Sequence, residues 1–143
     1  MTFTSSGRTP VGFRFQALGV LAVAVCSALS WVAWLGWDQQ YQVDPVTGVG
    51  SGPYEAWQVI GCALSLLTLF VGALLAGVRP LPASAALVLA FTAAWTIQAA
   101  RTDDTGLYGV GMILLLVGLS MATALVSVLT LALREVLIVR RRS

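Results

Sequence analysis

The chain has 143 residues, of which 58% are hydrophobic and only 10% charged, with a formal net charge of +2. A soluble domain carries about a quarter charged residues, so this composition excludes a soluble surface and predicts an all-α integral membrane protein. There is no His, and all eight basic residues are Arg, which excludes Ser-His and Cys-His catalysis, Schiff-base lysines and histidine metal sites. Abundant Ala, Val, Gly and Arg without Lys is the composition expected of a GC-rich bacterial gene.

Residues 1–14 read as a cytoplasmic tail, followed by a first apolar run at about 15–37. That run continues through WVAWLGW, too long for the h-region of a cleaved signal peptide, so it is expected to remain as a span. Three further runs lie at about 55–78, 83–100 and 108–133, each near the ~20 residues needed to cross the bilayer. Their cores contain no charged side chain, as insertion requires. The fold class is thus a four-transmembrane-helix antiparallel bundle.

Arg8, Arg14, Arg79, Arg134 and Arg140–Arg142 fall on one side of these spans, with Glu135. Arg101 falls on the other, with Asp38, Asp44, Glu55, Asp103 and Asp104. The positive-inside rule then puts both termini in the cytoplasm, N-in/C-in, across a bacterial plasma membrane. The C-terminal tail, residues 134–143, is basic, and Arg140, Arg141 and Arg142 form a cluster suited to anionic lipid at the cytoplasmic face.

The outer loop, residues 38–54, carries Asp-Pro and several glycines, which read as turns rather than a domain. Asp38 and Asp44 lack the spacing of a known calcium loop. The inner connection RPLP is so short that spans two and three are expected to be antiparallel neighbours, with Pro80 and Pro82 stopping one helix and starting the next. RTDDTGL joins spans three and four, with Asp104 or Thr105 as the expected cap of the fourth helix.

If the RPLP turn sets the register, Glu55 lies level with Arg101, Gln58 with Gln98, and Gly61 with Trp95. Positions 55, 58, 61/62 and 65 share one helical face, as do 101, 98, 94/95 and 91. The predicted contacts are an interfacial ion pair of Glu55 with Arg101, an amide pair of Gln58 with Gln98, and a Trp95 indole in the space left by Gly61. Trp31, Trp34 and Asp38 share a face of the first span and are expected to join this layer. All five tryptophans and all three tyrosines fall in the outer half. They read first as an interfacial belt with interhelical packing, and second as an outward-facing cleft formed by Trp31, Trp34, Gln58, Gly61, Trp95 and Gln98.

Thr68, Thr92, Ser120, Thr123, Ser127 and Thr130 are expected to bond their own helices. Small residues recur at packing intervals: Ala22, Cys26 and Ser30; Ala86, Ala90 and Ala94; Gly111, Gly118 and Ala122. Cys26 and Cys62 form no CxxC motif and lie at different depths, so no disulfide joins them. A short echo, GPYEAWQ against GLYGVGM, opens two spans and is too brief to establish a repeat.

No motif for a metal, a cofactor or nucleic acid is present. The function expected is non-enzymatic: an accessory or interaction subunit of a membrane complex, with a membrane-protein partner or a homo-oligomer implied. The alternative is a transporter or pore-like protein using the outer cleft, although no mid-membrane carboxylate is available to couple cations. A third reading is a membrane enzyme working through the outer carboxylates.

Overall fold

Proline lacks the N–H that a helix interior requires but suits its first turn. Pro80 accordingly opens a helix at N1, with Arg79 extended at the cap. The turn before it is closed by Gly77 at φ +102°, a conformation that costs glycine least. Gly77 N–H donates to the Leu74 carbonyl and Val78 N–H to the Ala73 carbonyl, the paired bonds of a Schellman stop.

The computed structural model describes residues 10–38, 40, 42–52 and 54–142. Its elements are α1 (Pro10–Trp34), β1 (Gln42–Val43), β2 (Gly50–Ser51), α2 (Ala56–Leu75), α3 (Pro80–Thr102) and α4 (Tyr108–Arg142). The strands form one minimal antiparallel ladder in the α1–α2 loop, pairing Gln42 with Ser51 and Val43 with Gly50. All four helices are long and apolar enough to cross a membrane. Residues 1–9 of the expected N-terminal tail, together with Tyr41 and Pro53, lie outside the described residues. Residues 10–14 of that tail are already helix.

The core is a set of i+4 stripes. Val23, Ser27 and Trp31 of α1 are continued by Leu35; α2 gives Gln58, Cys62, Leu66, Phe70 and Leu74; α3 gives Ala83, Leu87, Val88, Phe91 and Thr92. By contrast α4 buries only Thr123 and Thr130 and is the most peripheral helix. The opposite faces expose Leu21, Leu29, Leu64, Leu89, Leu114 and many others. Monomeric soluble proteins rarely expose so many large apolar side chains.

α1 and α3 share the largest interface, followed by α3 with α4 and α1 with α2, while α1 and α4 do not meet among the described residues. α2 and α3 do touch, but less extensively than either meets α1, so the RPLP turn does not make them the principal pair. The helix lying along the polar face of α2 is α1. Gln16 of α1 fastens this arrangement at the arginine-rich end: its Nε2 donates to the Gly77 carbonyl at 2.8 Å, and its Oε1 accepts from Arg79 N–H at 3.0 Å.

Parts of two expected small-residue stripes face outward, although Gly111 packs against Trp95. Ala22 and Cys26 are exposed, as are Gly118 and Ala122, and small residues are buried instead at Ser27, Cys62 and Ala83. The expected stripe on α1 is one position out of register with the buried one, because a one-residue step turns the helix by about 100°. Thr68, Thr123 and Ser127 bond carbonyls of their own helix, as expected. Thr92 does not: its Oγ1 is buried without a partner, as are Thr96 Oγ1 and Trp31 Nε1.

Candidate functional site

The polar and aromatic residues gather at the end of the bundle that holds Asp38, Glu55, Asp103 and Asp104. They divide into a packed lock between α1 and α2 and an open cavity between α3, α4 and the start of α2.

The lock is built on glycine. A Cβ on Gly61 would lie 2.5, 2.6 and 2.8 Å from ring atoms of Trp34, so only a hydrogen at that position admits the indole. Trp34 Nε1 donates to Ser65 Oγ at 3.0 Å, and Ser65 donates to the Gly61 carbonyl at 2.9 Å. Trp34 also meets Trp57 edge to face, with centroids 6.2 Å apart at 71°, a favourable quadrupole arrangement. The Trp57 indole donates in turn to the Glu55 carboxylate.

Gln58 is fully buried. Its Oε1 accepts from Glu55 N–H at 2.8 Å, which satisfies a free donor at the start of α2. Its Nε2 donates to Asp38 Oδ2 at 3.2 Å, tying α2 to the end of α1. Both halves of the amide are thus engaged without Gln98. The expected Gln58–Gln98 pair is not made, since Asp38 at the same depth supplies a stronger, charged acceptor. Nor does an ion pair join Glu55 to Arg101 among the described residues: Glu55 takes the Trp57 indole, while Arg101 is exposed in the last turn of α3.

Trp95 is seated on the opposite side of the bundle. A Cβ on Gly111 of α4 would lie 2.4 Å from its ring, so Gly111, not Gly61, makes room for Trp95. Beside it opens a cavity of about 650 Å³, lined by Tyr54, Trp95, Gln98, Thr102, Asp103, Asp104 and Tyr108, among others. Of the six expected cleft residues, Trp95 and Gln98 line this cavity. Trp34, Gln58 and Gly61 are instead consumed by the lock, and Trp31 is in the core with its ring 3.2 Å from a Cβ placed on Gly36.

Asp103 organises the rim. Oδ1 accepts from Thr105 Oγ1 at 2.5 Å and Thr105 N–H at 2.8 Å, and Oδ2 accepts from Tyr108 N–H at 2.7 Å. The Thr105 hydroxyl, then the Thr105 and Tyr108 amides, hold this carboxyl below the usual carboxylate range. Asp103 therefore performs the capping expected of Asp104, with Thr105 assisting by accepting from Leu107 N–H at 3.3 Å. The sequence signal for it was the D-x-T spacing, in which an aspartate turns back onto its second neighbour.

At the other end, Arg134 donates to the Leu74 carbonyl at 3.4 Å, placing a cation on the C-terminus of α2. Beyond it α4 runs unbroken to Arg142, and Arg140, Arg141 and Arg142 form its exposed last turn. Gln16 and Arg134 are polar fasteners that sequence reasoning missed, as is the 2.6 Å hydroxyl bond of Ser84 with Thr123 between α3 and α4. A lone Gln within an apolar helix start was the available signal for the first. Comparison with protein-family models, with curated proteins and with solved structures returned no match.

Proposed function

We propose that this chain is a multi-pass integral membrane protein of four antiparallel spans, with both termini cytoplasmic, that acts without catalysis as an accessory or interaction subunit. Antiparallel order is supported by the α1–α2 contacts: Gln16 and Gly19 meet Gly77 and Val78, whereas Trp34 and Asp38 meet Ser65, Gly61 and Gln58. The orientation follows from arginine, which is concentrated at the Arg79 and Arg134 end. A non-catalytic role is favoured by the carboxylates, which serve the fold: Asp103 caps α4 and Asp38 holds Gln58.

The observation that carries the interaction reading is the overhang of α4. The helix has 35 residues, about 52 Å at 1.5 Å per residue, against about 30 Å of hydrocarbon. Every residue from Leu131 to Arg142 is exposed, including Val136, Leu137, Ile138 and Val139. Among the described residues, the four consecutive apolar side chains beyond the fastening of Arg134 are all exposed, and three arginines follow them in the sequence. A neighbouring subunit at the cytoplasmic face would cover this apolar stretch, and the basic end of the helix suits the anionic lipid around such a complex.

The test compares the full chain with a chain ending at Arg134, both purified in mild detergent. The reading expects a stoichiometric membrane-protein partner, or a second copy of this chain, with the first and its loss with the second. Full-length protein that is monomeric and alone would overturn it. Impermeant maleimide on single cysteines at Asp44 and Val139, in a cysteine-free chain, checks the orientation: labelling from outside at Asp44 only is expected, and the reverse pattern would refute it.

A further inference from the structure

We propose that the cavity between α3, α4 and the start of α2 is a binding site for an organic cation of the quaternary ammonium class. Its volume of about 650 Å³ suits a small molecule and is far too large for a bare metal ion. Its lining combines three aromatic side chains, Tyr54, Trp95 and Tyr108, with the Gln98 amide and the carboxylates Asp103 and Asp104. Among the described residues, no basic side chain lines it.

This combination selects by charge type. Aromatic faces attract a diffuse, weakly hydrated cation, and carboxylates at the rim supply the opposite charge. A compact hydrated ion gains little from indole and phenol rings. An anion meets two negative charges and no compensating arginine in the lining. Asp103 is ionised in place, because its oxygens accept from the Thr105 hydroxyl and from the amides of Thr105 and Tyr108. Asp104 is exposed beside it and supplies a second charge at the mouth.

The position of Trp95 sets the shape of the ligand. The indole is held against Gly111, where any larger residue would displace it. Trp95 lies two turns before the end of α3, about 10 Å below the rim at 1.5 Å per residue. A ligand reaching from Asp104 to Trp95 therefore has a cationic head and an apolar or aromatic body. A soluble amphiphilic cation and a phospholipid with a quaternary ammonium headgroup share this chemistry.

The experiment is isothermal titration of the full chain in non-ionic maltoside micelles with benzyltrimethylammonium. Its neutral isostere neopentylbenzene is run in parallel, and empty micelles are subtracted from both. One saturable site per chain is expected, with the cation at least tenfold tighter than the isostere. Trp95→Leu should weaken binding about tenfold, the scale of one partly desolvated cation–π contact. Asp104→Asn should weaken it about threefold, as expected for a rim charge. Asp104 is exposed, so this variant decides the matter if Trp95→Leu does not fold. Displacement of the cation by dihexanoylphosphocholine would identify the source as a lipid headgroup; failure to displace would identify a free cation. Equal binding of the isostere, no saturable binding of the cation, or affinities unchanged in the folded variants would overturn the proposal.

Discussion

Replacing Gly61 by Ala tests the lock between α1 and α2 most directly. The new methyl would stand 2.5 Å from Cζ3 of Trp34 and 2.6 Å from Cη2, well inside van der Waals contact. The ring cannot retreat freely, because Ser65 holds its Nε1 at 3.0 Å and Trp57 packs on it edge to face. Forcing an extra carbon into such a site costs about 1–3 kcal/mol. Shifting the indole also weakens its bond to Ser65, at about 0.6 kcal/mol for an average interhelical hydrogen bond in a membrane. Alanine returns up to about 1 kcal/mol of helix propensity over glycine. The net expectation is a loss of about 1–2 kcal/mol, measured by reversible unfolding in mixed maltoside and dodecyl sulfate micelles. Gly118→Ala is the control, since a Cβ there meets nothing within 4 Å. Trp34→Phe, which removes the benzo ring atoms that clash, should relieve part of the Gly61→Ala penalty, with a coupling energy of about 1 kcal/mol. Equal stability of the Gly61→Ala and Gly118→Ala chains, or strict additivity in the double variant, would refute the reasoning.

Gln58→Glu sets a second carboxylate against Asp38, where the amide now donates at 3.2 Å, and should destabilise the fold by about 1–3 kcal/mol at neutral pH. An unchanged unfolding midpoint in the same assay would contradict this. Gln16→Ala removes both bonds to the α2–α3 turn and should cost about 0.5–1.5 kcal/mol, whereas an unchanged midpoint would show the clamp to be idle. The Asp103 carboxyl lies below its ordinary value of 3.8 in the fold, so its contribution is present above that pH and lost as pH falls below it. Wild type should accordingly be more stable than Asp103→Asn at neutral pH, and the two curves should converge on acidification; parallel curves would refute the capping role.

Much of the local structure was legible from residue types alone. Four apolar runs, two prolines at a short turn and charge between the runs are local signals, and they predicted the four helices and the start of α3. The end of the bundle at which the polar residues meet was also legible, since Gln58 and Gly61 contact Asp38 and Trp34 there. What escaped was the choice of partner. In a bundle every helix has a residue at a given depth, so a register derived from one turn could assign Gln98 to Gln58 and Trp95 to Gly61 without testing α1 or α4.

By itself, then, the sequence determined the number and approximate place of the apolar helices, because burial of backbone and hydrocarbon depends on runs of neighbouring residues. Tertiary structure decided which face met which. Indole volume directed Trp34 to Gly61 and Trp95 to Gly111, and the carboxylate of Asp38 took the amide of Gln58. These choices depend on volume and charge brought together from distant parts of the chain. They closed the α1–α2 side of the acidic end and left the α3–α4 side open as a cavity.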